Sequence, residues 1–152
     1  MAIKRILVPV DFSQDSLNAL NSARGLARQF DAELLLLHVI APIDLITVSD
    51  VFEEQRRAGD AAFTRIGADL RAAGQRFRVM VKAGVPSRVI VDTAKRTGAD
   101  LIVMGTHGRT GLAHMLIGSV AEKVVRTATC PVLAVRRSVK KKLPRRKAGE
   151  GT

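Results

Sequence analysis

The sequence predicts a doubly wound α/β fold, a single domain with a five-stranded parallel sheet in the order 3-2-1-4-5 and helices on both faces. Three observations predict it. Strand-length apolar runs alternate with segments of helical period, the pattern of βα units joined by right-handed crossovers. The run Leu34-Leu35-Leu36-Leu37 is apolar at every position, as expected of a strand covered on both faces. The 152-residue length suits one domain with one substantial core and leaves no room for a second enzymatic domain.

The first strand is read over Ile3 to Val10, where β-branched residues run up to Pro9-Val10-Asp11-Phe12-Ser13. A helix follows, capped by Ser13 or Asp15, with Leu17, Leu20, Ala23, Ala27 and Phe30 at helical spacing. Glu33 to Ile40 is the second strand. Ile43 to Ser49 has no assigned element, and a helical pattern runs from about Asp50 to Ala73, weakened by Gly59 and Gly67. Arg76 to Val81 alternates charged and apolar residues, as an edge strand does, and Gly84-Val85-Pro86-Ser87 turns the chain into a helix ending near Gly98. Leu101-Ile102-Val103-Met104 is the fourth strand, Ser119 to about Thr127 the fourth helix, and Pro131 to Val135 the last strand.

Composition narrows the function classes. Apolar residues make up 47% and charged residues 26%, enough apolar content for a packed core. No apolar run approaches the roughly 20 residues that cross a bilayer, and the opening Met1-Ala2-Ile3-Lys4-Arg5-Ile6 does not read as a signal peptide, so the expected location is cytoplasmic. The single cysteine, Cys130, excludes an internal disulfide and is expected to be a small buried residue.

The net charge of +11 is unevenly spread. Residues 1–135 carry 17 Lys and Arg against 13 Asp and Glu, a net of +4, whereas residues 136–152 carry 8 against 1, a net of +7. We therefore expect a folded unit over 1–136 and a basic tail over 137–152 that is disordered on its own. The tail supports an alternative reading, a module that binds nucleic acid or an acidic partner by neutralising phosphates. Without aromatic residues it offers no base stacking.

The segment that carries chemistry is Gly105-Thr106-His107-Gly108, nine further residues, then Gly118-Ser119. It follows a buried strand and opens a helix. Glycine admits close backbone approach and positive φ, and a helix N-terminus attracts anionic oxygens, so a phosphate site is expected here. Ser119 can cap the helix or bond a phosphate, and Thr106, Arg109 and Thr110 add donors. In a 3-2-1-4-5 sheet the strand order reverses between strands one and four, which brings Asp11 and Gly105 to one crevice. There Asp11 can accept from a ribose or an adenine, cap the first helix, or do both. Neither a P-loop nor a dinucleotide fingerprint is present.

These residues resemble the universal stress protein family, through the G-x2-G-x9-G-[ST] pattern of Gly105, Gly108, Gly118 and Ser119. The likeness spans residues 3–136 and includes Ile6-Leu7-Val8-Pro9-Val10-Asp11-Phe12-Ser13, Leu37-His38-Val39, Gly84-Val85-Pro86 and Cys130-Pro131-Val132-Leu133-Ala134-Val135. The resemblance implies bound ATP, alone or with Mg²⁺, a role in stress survival, and a homodimer formed through the last strand, Pro131 to Val135. It implies that Pro9, Asp11 and Val39 surround the adenosine, that Gly105 lies beside the ribose, and that Gly108, Gly118, Ser119 and Val120 hold the phosphates. Val10, Met104 and Arg109 complete the candidate binding set.

No general base for hydrolysis is identifiable, so hydrolysis is expected to be slow or absent. His38 is read as a satisfied core histidine, and His107 as a loop residue able to face a phosphate. A phospho-receiver domain would need an acceptor aspartate after the third strand, where Val81-Lys82-Ala83-Gly84 has none.

Overall fold

Every residue from Leu34 to Leu37 is fully excluded from solvent in the computed structural model, which describes residues 1–42, 48–108 and 116–137. They form the centre of strand β2 (Glu33–Ile40). The other strands are β1 (Arg5–Pro9), β3 (Phe77–Ala83), β4 (Leu101–Gly105) and β5 (Val132–Val135). All four pairings are parallel and the strand order is β3-β2-β1-β4-β5, as the sequence predicts.

The helices are α1 (Gln14–Phe30), α2 (Val48–Ala72), α3 (Pro86–Thr97) and α4 (Ser119–Thr127). Because side chains alternate across a strand, β2 feeds two cores at once. Leu34 and Leu36 join Ile6, Val8 and Val103 beneath α1 and α2, packed on Ala19, Ala23, Phe63 and Leu70. Leu35 and Leu37 join Leu7, Ile102 and Met104 beneath α3 and α4, packed on Ile90, Ala94, Ala121 and Val124. The wholly apolar run of β2 follows from this double covering.

Local chemistry sets the helix ends. Ser13 caps α1, its Oγ accepting the Ser16 N–H at 3.3 Å, and Asp31 closes the helix in the left-handed region at φ 52°. Of the caps the sequence allows, Asp11, Ser13 and Asp15, Ser13 is the one used. Pro86 occupies the first turn of α3, where its missing N–H costs nothing, and Gly98 ends that helix at φ 63°. Replacing Ser13 with alanine is expected to cost about 1 kcal/mol, a fall in unfolding midpoint of about 2–4 °C for a chain of this size, measurable by thermal circular dichroism.

Several boundaries move. β3 runs to Ala83 rather than Val81, because its pairing with β2 continues through Ala83 opposite Ile40. β1 is shorter than Ile3 to Val10, its register with β2 running from Arg5 to Pro9. Gly59 and Gly67 do not interrupt α2. A Cβ on Gly59 would lie 3.2 Å from the His38 ring and one on Gly67 3.1 Å from the Phe77 ring, so both provide room for rings of the sheet. Cys130 is half-buried rather than buried, since it precedes the edge strand β5; burial, aided by the charge of Asp100, pushes its thiol pKa up. Among the described residues no helix is long and apolar enough to cross a membrane.

Candidate functional site

β1 has β2 on one side and β4 on the other, and the crossovers from these strands leave in opposite directions along the sheet. Beyond its carboxyl end lies a crevice of about 370 Å³. Ten of the eleven residues named from sequence line it: Pro9, Val10, Asp11, Val39, Met104, Gly105, Gly108, Gly118, Ser119 and Val120. Arg109 lies outside the described residues, as do Thr110, residues 43–47 and residues 138–152.

The apolar end is built by strand ends and α3. Leu37 and Val39 of β2, Met104 of β4, and Pro86 and Ile90 of α3 wall a slot continuous with the α3–α4 core. Sequence reasoning assigned no binding role to Pro86 or Ile90. The signal was present in Gly84-Val85-Pro86, which sets the start of α3 and so aims its first turns at the crevice.

The polar end is a bracket of backbone. Asp11 folds back so that its Oδ1 accepts the Ser13 N–H at 2.9 Å, and Phe12 between them takes φ 63°. Asp11 therefore shapes the turn before α1 without being the helix cap. Thr106 is buried; its N–H donates to the Val135 carbonyl at 3.1 Å and its own carbonyl accepts the Gly118 N–H. One residue thus ties the end of β5 to both sides of the glycine segment. Gly118, not Ser119, is the N-cap of α4, and its carbonyl accepts the Glu122 N–H at 3.0 Å. Ser119 lies exposed in the first turn and lines the crevice, while Gly118 holds the cap position.

Of the two reasons expected for the glycines, close approach and positive φ, the described residues show the first. Among the described residues the positive-φ glycines are Gly74, Gly84 and Gly98, none of which belongs to the motif. Gly105, Gly108 and Gly118 are there for space. A Cβ on Gly105 would lie 2.9 Å from the Asp15 carbonyl carbon, one on Gly108 2.9 Å from Asp11 Oδ2, and one on Gly118 2.9 Å from the Thr106 carbonyl oxygen. Each contact draws a wall of the crevice inward.

A further pair escaped the sequence. His107 Nδ1 lies 3.5 Å from Asp15 Oδ2 and 3.0 Å from Thr106 Oγ1, with His107 lining the crevice. Asp15 sits 92 positions away, and no local pattern links the two. Among the described residues no group of three or more His, Cys, Asp or Glu is arranged to hold a metal ion.

An apolar slot that opens onto a backbone bracket and a helix N-terminus suits a ligand with a flat apolar end and an anionic end. Fold and crevice together define a doubly wound α/β protein with its candidate site at the topological switch point. Comparison with known proteins makes this specific. The model of the universal stress protein family matches residues 2–136. A universal stress protein of Methanocaldococcus jannaschii is 36% identical over 146 residues, covering 90% of this chain and 84% of that one. The solved structure of a second protein of that organism, MJ0577, has a TM-score of 0.79 at 31% identity, covering 91% of this chain and 99% of the other. A universal stress protein solved in complex with cAMP has a TM-score of 0.69 at 29% identity, over 91% of this chain and all of that one. The chain belongs to the universal stress protein family.

Proposed function

We propose that the protein binds an adenine nucleotide, ATP, in the crevice at the end of β1 and acts as a nucleotide-dependent module of the stress response, with hydrolysis slow or absent. The observation that carries this reading is the convergence of ten residues from four separate sequence segments on one crevice with an apolar and a polar end. The base and ribose would lie against Pro9, Val10, Asp11, Val39 and Met104, with Gly105 beside the ribose. The phosphates would lie against Gly108, Gly118, Ser119 and Val120 at the start of α4, with Arg109 as a further charge contact. A relative solved with cAMP supports an adenine ligand. Mg²⁺, where it accompanies ATP, would be held through the phosphates and the Ser119 hydroxyl.

We propose in addition that residues 1–136 are the nucleotide-binding unit and 137–152 a basic tail, that the protein is cytoplasmic, and that it is a homodimer. β5 is the outer strand of the sheet, with Leu133 41% exposed, and an unpaired apolar edge favours pairing with a second copy.

The test is to denature freshly purified, untagged protein, identify the released nucleotide by chromatography, and titrate the stripped protein with ATP while following its unfolding midpoint. Near-stoichiometric ATP in the extract, or a midpoint that rises with ATP as linkage requires, is the expected result. An empty extract and an unmoved midpoint at millimolar ATP with Mg²⁺ would refute the reading.

A further inference from the structure

His38 stands in the apolar run of β2 with 8% of its surface exposed. Its Nδ1 lies 2.8 Å from the carbonyl oxygen of Val10. A carbonyl only accepts, so this bond requires the proton on Nδ1. The position of the bond gives it a use beyond satisfying a buried ring.

β1 and β2 pair in register from Arg5 opposite Glu33 to Pro9 opposite Leu37, and the Val10 N–H then donates to the Leu37 carbonyl at 2.8 Å. One step further, a parallel ladder would bring the Val39 N–H to the Val10 carbonyl. The His38 side chain takes that carbonyl instead. The chain after Val10 then leaves the sheet into the turn that carries Asp11, with Phe12 at φ 63°, a region that bulky residues rarely occupy. Packing holds the turn there. The Phe12 ring lies 5.0 Å from the His38 ring and 5.1 Å from that of Phe63, and Gly59 on α2 leaves the imidazole its space.

We propose that His38 is a positioning residue for the nucleotide site: its Nδ1–H holds the Val10 carbonyl, thereby fixing the turn that presents Asp11 and leaving Val39, which the β1–β2 ladder does not reach, at the crevice wall. This role rests on the nucleotide reading and adds to it a residue on the far side of the strand from the ligand.

The experiment compares wild type, His38→Leu and His38→Asn. Leucine fills similar volume with no donor, whereas the asparagine amide places an N–H near the position of Nδ1. Thermal unfolding establishes that each variant is folded, ATP titration gives affinity, and ¹⁵N NMR of the ligand-free wild type identifies the tautomer. The expected results are an Nδ1–H tautomer, an affinity for ATP about tenfold weaker in His38→Leu, and recovery to within about threefold of wild type in His38→Asn. An Nε2–H tautomer would overturn the proposal, as would a folded His38→Leu that binds ATP like wild type. If the leucine variant does not fold, the tautomer decides. Failure of the wild type itself to bind ATP is a separate result, which would refute the nucleotide reading and the ligand role of His38 with it.

Discussion

Gly105→Ala is expected to lower the unfolding midpoint by about 6–12 °C. The added Cβ would lie 2.9 Å from the carbonyl carbon of Asp15 and 3.0 Å from both its oxygen and its Cβ. These atoms belong to the first turn of α1 and cannot swing aside as the end of a long side chain can. Nor can α1 withdraw cheaply, because Ala19, Ala23 and Ala27 seat it on the same core as Ile6, Val8 and Val103. Overpacking of this kind costs typically about 1–3 kcal/mol, and contact with backbone puts the cost at the upper end. For a domain of about 150 residues each kcal/mol moves the midpoint by about 2–4 °C. Differential scanning calorimetry checks the result, and a midpoint within about 2 °C of wild type would show that α1 moves freely against β4. Since Gly105 also lines the crevice, the nucleotide reading predicts that displacement of α1 also weakens ATP binding.

This origin of the motif explains what was and was not legible in the sequence. The sheet could be read because covering on both faces leaves a direct trace, the unbroken apolar run Leu34 to Leu37. The strand order then carried Asp11 and Gly105 to the same crevice without knowledge of any contact. The glycines and their need for space were visible, but the atoms that approach them were not. A missing side chain does not reveal which atoms occupy its place, and here the neighbours come from α1, from the β1 turn and from Thr106. The His107–Asp15 pair and the Val10–His38 bond escaped for the same reason, since each joins residues far apart in the chain. His38 was correctly read as a satisfied core histidine. What its partner does for the turn became visible only when the register of β1 on β2 was known. The end of β3 was misplaced by two residues because it is set by its partner Ile40, not by its own composition.

Gly108→Ala should behave in the opposite way from Gly105→Ala, losing ATP affinity about tenfold while the unfolding midpoint stays within about 2 °C. Gly108 is exposed, lies outside any helix or strand, and is not among the positive-φ glycines, so alanine meets no conformational obstacle. Among the described residues the single close neighbour of the added Cβ is Asp11 Oδ2 at 2.9 Å, the far end of a side chain. The fold can absorb that contact; the site cannot do so without changing. The other carboxylate oxygen, Oδ1, holds the Ser13 N–H at 2.9 Å, so Asp11 can yield only by rotating off that bond or by pushing the glycine segment outward. Either movement changes the carboxylate that the nucleotide reading sets against the ribose. A double-mutant cycle with Asp11→Ala distinguishes the routes, because substitutions acting through one group are not additive. If Gly108 acts by seating Asp11, the double variant binds ATP no more weakly than Asp11→Ala alone. Additive losses would instead assign Gly108 a direct contact with phosphate, and wild-type affinity in Gly108→Ala would show that the Asp11 carboxylate adjusts without consequence for the ligand.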